Sequence, residues 1–387
     1  MKLLHVSASY LPATRYGGTI VSVHQLCRAL AKRGHDVHVF TTSVDGDNDS
    51  AVPHGQAVDV EGVKVWYFRS SSARRIYYAP AMAAMLRQHI HEFTVVHTHA
   101  IYLWPLWKAA RAAAEAGVPY VVSPRGMLEK DLIENKSALW KAALIGFIER
   151  RSLEQAAAIH VTSAREGDEA RAFGFSLPPL CEIPNGVEAA GEEGAASDGI
   201  RALAARGPYV LYLGRINWKK GLDRLIRAMP LAPAIRVVLA GDDEEGYRHV
   251  LESIAAGHEV ADRIVFAGPV RGADKAFLLR NARLLVLPSY SENFGNVVLE
   301  AMAEGRPVVV TPEVGAASLV READAGVVVS GEPATLSAAL ARLFGDVEQA
   351  NAMGARGRAL TTRYSWDAVA SRMETLYARV AAGQPGC

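Results

Sequence analysis

Short apolar runs alternate with helix-length stretches along almost the whole chain, and this alternation limits the fold more than any other feature. In the first half the runs are KLLHVSA (2–8), DVHVFTT (36–42), VKVWYF (63–68), FTVVHTH (93–99), PYVVSP (119–124) and AAIHVTS (157–163). Between the first two, Val23, Leu26, Cys27 and Leu30 recur at helical spacing from Ile20 to Lys32, and Gly34 ends the helix. Around 187–199 the pattern lapses into EAAGEEGAASDG, the composition of a mobile linker. It then restarts with GPYVLYLG (207–214), IRVVLAG (235–241), RIVFAG (263–268), ARLLVLPS (282–289) and RPVVVT (306–311). Repeated β-α units of this kind predict the α/β class: two doubly wound domains, each a parallel sheet covered on both faces. A length of 387 residues suits two such cores. The expected boundaries are 1–190 and 200–365, and the helical stretch 366–387 is free to pack on either domain. Ligands of open α/β sheets bind at the carboxyl ends of the strands, so the loops there should carry the chemistry, in a cleft between the domains.

Composition narrows the functions. Lys and Arg number 42 against 41 Asp and Glu, so no net field favours nucleic acid. Cys27, Cys181 and Cys387 lie far apart and form no CxxC pair; their spacing predicts neither a disulfide framework nor a zinc site, and fits a reducing cytoplasm. His5 and Ser7 interrupt the first apolar run, which reads as a strand and not as a signal peptide. No stretch approaches the roughly 20 apolar residues of a membrane span.

Three loops stand out. SENFGNVVLEAMAEG (291–305) joins a strand to a helix expected to begin near Gly295 or Asn296. The first amides of a helix lack intrahelical partners and sit at its positive end, where a phosphate is stabilised. Glu300, one turn in, suits a vicinal diol such as a ribose, and Glu292 suits a sugar hydroxyl. In YLGRINWKKGLDRLI (212–226), Arg215 and Lys220 flank a short loop with Gly221 opening the helix: one planar fork of donors and one point charge for a diphosphate. Gly17-Gly18 follows the first strand and allows close approach of backbone to ligand, without forming GxGxxG. Each feature alone also fits an ordinary turn or a solvated acid.

Taken together, Arg215 with Lys220 and Glu292-x7-Glu300 with FGN between them resemble the retaining glycosyltransferases of family 4. The resemblance covers nearly the whole chain and implies the GT-B fold, two Rossmann-like domains, with the amino-terminal one binding acceptor and the other a nucleotide sugar. It implies that Arg215 and Lys220 bind the donor diphosphate, with Lys219 as an alternative to Lys220. It further implies that Glu300 holds the ribose, that Glu292 holds the transferred sugar beside Phe294, Gly295, Asn296 and Val297, and that Gly18 lies against phosphates or acceptor. His99 in VVHTHA matches a sugar-contacting histidine, with His97 expected to point the other way; Gly268 and Val270 match a loop that meets the base. No cofactor or metal is implied beyond the nucleotide-diphosphate sugar itself. The implied reaction is same-face attack within a short-lived ion pair, and Glu292 is the motif carboxylate open to the alternative, a covalent intermediate. The segment SPRGMLEKDLIENKSALWKAAL resembles members that build bacterial surface polysaccharides, which implies a lipid-linked saccharide acceptor and a place at the cytoplasmic face of the inner membrane.

Two other functions fit the same donor site, a sugar-nucleotide epimerase and a nucleotide-sugar-binding protein without catalysis. DGDNDS (45–50) lacks the ligands of a calcium loop and reads as a solvated, flexible loop; GDDEEG (241–246) reads as an acidic helix start. His89, His91, His97 and His99 complete no zinc spacing. The basic, aromatic-bearing stretches near 64–78 and 125–151 read as solvated helical faces or as surfaces for anionic lipid, with Arg125 foremost.

Overall fold

The structure, a computed structural model, describes residues 1–13, 17–128, 148–188 and 194–387. Its contacts divide the chain into one unit of Met1–Gly186 with Trp366–Cys387 and a second of Val187–Ser365.

The first unit is built on an eight-stranded sheet. From edge to edge its strands are Leu180–Glu182, Ala158–Val161, Tyr120–Ser123, Val95–His99, Lys2–Ser7, Asp36–Thr42, Val63–Phe68 and Ala57–Val60. All pairings are parallel except the last. That edge strand, not evident from composition, joins its neighbour through Glu61-Gly62, whose φ values of 55° and 86° suit a tight hairpin. The central strands are buried on both faces, which is why they read as unbroken apolar runs. One face packs on the helices Pro80–His89 and Trp104–Ala116. The other packs on Gly18–Lys32 and on the terminal helix Trp366–Ala381, which presents Val369, Met373, Tyr377 and Val380 as one apolar stripe. Arg33 reinforces this docking with ion pairs to Asp367 and Glu374 at 3.0 and 2.8 Å.

Several expectations are corrected in this unit. Cys181 and Cys387 form a disulfide, with Cα atoms 5.6 Å apart, because the returning terminal segment lays Cys387 beside the edge strand. Cysteine spacing in sequence carried no sign of that return, and it therefore says nothing about a reducing compartment. DGDNDS forms an antiparallel pair, Val44–Asp45 with Asn48–Asp49, instead of an open loop. Arg74 pins it, donating to Asp49 Oδ1 at 2.9 Å and to the carbonyls of Gly46 and Asn48. Residues 64–78 accordingly form a strand and a short 3-10 turn, not a helical face. Residues 129–147, most of the segment that suggested surface-polysaccharide enzymes, lie outside the described residues, as do 189–193 of the expected linker and 14–16 before Gly17-Gly18. Among the described residues no helix is long and apolar enough to cross a membrane.

The second unit has six parallel strands in the order Ile264–Gly268, Val237–Ala240, Val210–Leu213, Leu284–Leu287, Val308–Val310 and Gly326–Val328. The order reverses between Val210–Leu213 and Leu284–Leu287. Loops leaving two such strands part to opposite faces and open a crevice at their carboxyl ends. Those two loops hold Arg215 to Lys220 and Ser291 to Gly295.

Candidate functional site

The first loop is set by glycine and by one tyrosine. Tyr212, fully buried, donates its hydroxyl to the Arg215 carbonyl at 2.6 Å. Trp218–Lys220 forms a 3-10 turn, and Gly221 at φ 63° caps the helix Leu222–Ala228. A Cβ at Gly221 would lie 2.1 Å from the Pro288 carbonyl oxygen, so only glycine lets the two loops approach this closely. Tyr290 N donates to the Lys219 carbonyl at 2.7 Å, tying them together.

In the second loop the Glu292 amide donates to the Glu313 carbonyl at 3.2 Å, and Gly315 N donates back to the Glu292 carbonyl at 3.0 Å. Gly295, at φ 85°, is the N-cap of the helix Asn296–Ala303. The Phe294 side chain is buried in the apolar core, and Val297 packs against it, so backbone alone is offered there. The Phe294 carbonyl accepts from Ala316 N at 2.8 Å.

Charged side chains pair across these loops. Lys220 donates to Glu292, with side chains only 14% and 20% exposed, so the pair is partly shielded from solvent. Arg215 Nη1 donates to Glu244 Oε1 at 2.6 Å, and Asn217 Nδ2 donates to Glu244 Oε2 at 2.5 Å. Lys275 Nζ donates to Glu300 Oε1 at 2.7 Å. Gly268, at φ 73°, ends its strand and accepts from Gly241 N at 2.8 Å, while Val270 packs on the core beyond it. Arg215, Lys220, Glu292, Glu300, Gly268, Val270 and the 294–297 backbone therefore gather at the carboxyl edge of one sheet. The arrangement offers two cations and the start of a helix to a polyanion, beside two carboxylates that accept hydroxyl donors.

Sequence reasoning missed Asn217, Glu244 and Lys275. GDDEEG precedes its helix, which begins only at Tyr247 with Gly246 as N-cap; Glu244 instead faces Arg215. Its position after the strand next to Val210–Leu213 was the available signal. Lys275 lies within the helix Gly272–Asn281, and nothing in its neighbours marks it.

Gly18 and His99 belong to the first unit. Gly18 opens the helix Gly18–Lys32, with Gly17 at φ 83° before it. His99 and His97 were expected to point to opposite faces, but alternate residues of a strand share a face, and their rings lie 4.2 Å apart. Both are buried in a network with His5, His160, Ser123, Tyr377 and Arg125.

Groups with a single role fix the protons of this network. Arg125 can only donate, so His99 Nδ1 accepts from Arg125 Nη2 at 3.2 Å and His99 Nε2–H donates to His5 Nδ1 at 2.9 Å. The Ile183 carbonyl can only accept, so His160 donates Nε2–H to it at 2.8 Å and accepts from Ser123 Oγ at 2.6 Å. Ser123 Oγ then accepts from His97 Nε2 at 2.7 Å, and His97 Nδ1 accepts from the Tyr377 hydroxyl at 2.6 Å. Burial, with Arg125 second, depresses His5 and His160 to about 3. His97 and His99 also lie well below the usual imidazole range, mainly through burial. The ligand atoms of His5, His97 and His99 come within 4.8 Å of one another, a group of three not anticipated from spacing. The ring nitrogens of His97 and His99 are already engaged by neighbours.

Comparisons with known proteins follow this division. The family model "Glycosyl transferases group 1" matches residues 198–360, and "Glycosyl transferase 4-like domain" matches 17–186. The D-inositol 3-phosphate glycosyltransferase of Xylanimonas cellulosilytica is 28% identical over 416 residues, covering 100% of this chain and 97% of that protein. A glycogen synthase of Mycobacterium tuberculosis is 28% identical over 412 residues, covering 99% and 96%. Among solved structures, sucrose-phosphate synthase from Thermosynechococcus elongatus superposes with a TM-score of 0.77 at 23% identity, over 99% of this chain and 100% of that one. HepE of Anabaena in complex with UDP-glucose gives a TM-score of 0.74 at 20% identity, over 98% and 100%.

Proposed function

We propose, from the premise that the chain belongs to the group 1, family 4-like glycosyltransferases and has their GT-B fold, that it is a retaining hexosyltransferase whose nucleotide-diphosphate sugar binds at the carboxyl edge of the second unit. The observation that carries this reading is the meeting of Lys220 and Glu292 across the two loops at the reversal of strand order, beside Arg215 and the helix start at Asn296. As the bond from the anomeric carbon to the β-phosphate breaks, its electron pair goes to the leaving diphosphate. Arg215, Lys220 and the helix start hold that growing charge, which is stabilisation specific to the transition state. The acceptor hydroxyl forms the new bond on the same face and passes its proton to the departing phosphate oxygen. Glu292 turns its carboxylate to the hydroxyls of the transferred sugar, and Glu300 accepts from the ribose diol. Gly268 and Val270 line the base with backbone, and Gly18 and His99 belong to the acceptor side in the first unit.

The acceptor is a saccharide or a phosphorylated polyol, a class suggested by the names of the relatives. Its lipid-linked form, in surface-polysaccharide synthesis at the cytoplasmic face of the membrane, is supported by the sequence of residues 123–144 alone.

Incubation with a panel of UDP-, GDP- and ADP-hexoses, followed by NMR of the anomeric proton, tests the reading. The expected product keeps the anomeric configuration of the donor. An inverted product would remove the same-face mechanism, and turnover of the donor without any acceptor would favour the epimerase.

A further inference from the structure

The edge of a sheet is a row of unpaired amides and carbonyls, and three of the four edges of the two large sheets are closed or blunted. Leu180–Glu182 is bridged to Cys387, and Ala57–Val60 is a hairpin arm with Asp59 opposite Lys64. Gly326–Val328 has only three residues, packed by the helices Ala317–Ala323 and Val347–Thr361. The remaining edge strand, Ile264–Gly268, reads IVFAG and carries no charge. Val265, Phe266 and Ala267 keep partial exposure, and no described strand pairs with its outer side. A register shift opposite Leu239 and Ala240 bends the strand after Phe266, so the regular part of the free edge is Ile264 to Phe266.

A groove runs along that part. Its cavity of about 390 Å³ is lined by Ile264, Val265 and Phe266, by Arg248 and Glu252 of the helix Tyr247–Gly257, and by Arg206. Arg248 crosses the Phe266 ring, 4.6 Å from its centroid, and pairs with Glu252 at 2.7 Å. These two side chains are 48% and 46% exposed, so each has donor or acceptor capacity left for a partner.

We propose that the outer edge of Ile264–Gly268 docks a second copy of this chain, joining the two second-unit sheets edge to edge about a two-fold axis at Val265. The occupant has to match an unpaired strand edge, an apolar strand surface, and a cation and an anion one helical turn apart. The same strand laid antiparallel matches all of these. Val265 then faces Val265, and Ile264 faces Phe266 of the other copy as an aliphatic–aromatic pair. The two Tyr247–Gly257 helices run antiparallel side by side, which sets Arg248 of each copy against Glu252 of the other. Arg206 sits near the start of the strand, where Arg236 Nη2 holds the next carbonyl, that of Gly207, at 2.5 Å. The Arg206 side chains of the two copies therefore fall at opposite ends of the pairing. A purely acidic or basic peptide would satisfy only one of Arg248 and Glu252. Exposed ion pairs add little affinity, so these charges set the register and the strand edge supplies the attachment.

Sedimentation equilibrium of the full chain over about 1–100 μM, the range of moderate to weak association, tests this. The wild-type mass should rise with concentration towards that of a dimer and stop there, because a two-fold interface closes on itself. Val265→Lys sets two lysines against each other at the axis and should leave a monomer, as charges do on natural edge strands. Arg248→Glu opposes carboxylates at two symmetry-related places and should raise the dissociation constant by about tenfold or more. The swap Arg248→Glu/Glu252→Arg restores opposite charges across the axis and should bring the dimer back. Circular dichroism melts report whether each variant is folded. A wild-type chain that stays monomeric or grows beyond a dimer overturns the proposal. So does a dimer that survives in folded Val265→Lys and Arg248→Glu, or a charge swap that restores nothing.

Discussion

Lys220 donates to Glu292 across two loops that leave neighbouring strands, Val210–Leu213 and Leu284–Leu287, on either side of the reversal in the second sheet. On the proposed reading, the carboxylate holds the cation where the leaving phosphate would need it. Lys220→Ala and Arg215→Ala should each lower turnover with saturating donor by about 10²–10³. Because Lys220→Ala also frees the negative charge of Glu292, the double variant Lys220→Ala/Glu292→Gln should be no worse than the poorer single one. Steady-state rates for the four proteins of this cycle check the coupling; additive losses would mean the two side chains act independently.

Glu300 has a partner of its own in Lys275, at 2.7 Å. If the carboxylate accepts from the ribose diol, Glu300→Gln should weaken UDP binding by about tenfold, one charge-assisted hydrogen bond. Lys275→Met should raise the donor KM by a smaller factor while leaving kcat close to that of the wild type, since it acts through Glu300. Titration calorimetry with UDP, set beside KM and kcat, separates the two.

Gly221 and Gly117 have nearly the same φ, 63° and 68°, but different surroundings. An added Cβ at Gly221 meets the Pro288 carbonyl oxygen at 2.1 Å, whereas at Gly117 nothing among the described residues lies within 4 Å. Gly117→Ala should therefore cost only the backbone strain, about 1–2 kcal/mol. Gly221→Ala adds overpacking for a total of about 2–5 kcal/mol, and should also lower turnover by shifting Lys220 from Glu292. Urea midpoints of the two variants test the difference.

The buried imidazoles predict acid lability. Their folded pKa values lie below the unfolded value near 6.5, at about 3 for His5 and His160, so the unfolded chain binds more protons between these limits. Stability is then fully present above about pH 6.5 and falls as the pH drops towards 3, by about 1 kcal/mol per buried histidine between pH 6.5 and 5.5. The melting temperature should decline over this range, and His160→Gln should flatten the decline even if it lowers stability at pH 7.5. An unchanged slope in that variant would show that other groups set the acid limit.

The α/β alternation, the two-unit plan and the placing of Arg215, Lys220, Glu292 and Glu300 on strand-loop-helix junctions were legible in the residues. All of them follow from local periodicity and from the glycines that end strands and open helices. The edge strand Ala57–Val60 and the pairing within DGDNDS were not, because short polar strands carry little apolar signal and depend on a partner to be recognised.

Other properties arise where residues distant in sequence become neighbours. A parallel sheet brings His5, His97, His99 and His160 together from three separate strands, and the returning terminal helix adds Tyr377 and the Cys181–Cys387 bridge. Linear spacing cannot report such contacts, since register and helix docking are set by burial across the whole unit. Thus residue order determined which loops could hold a phosphate, through short-range backbone geometry. Tertiary packing alone decided which charges were paired, which imidazoles lost their protons, and that Arg125 stood among neutral partners.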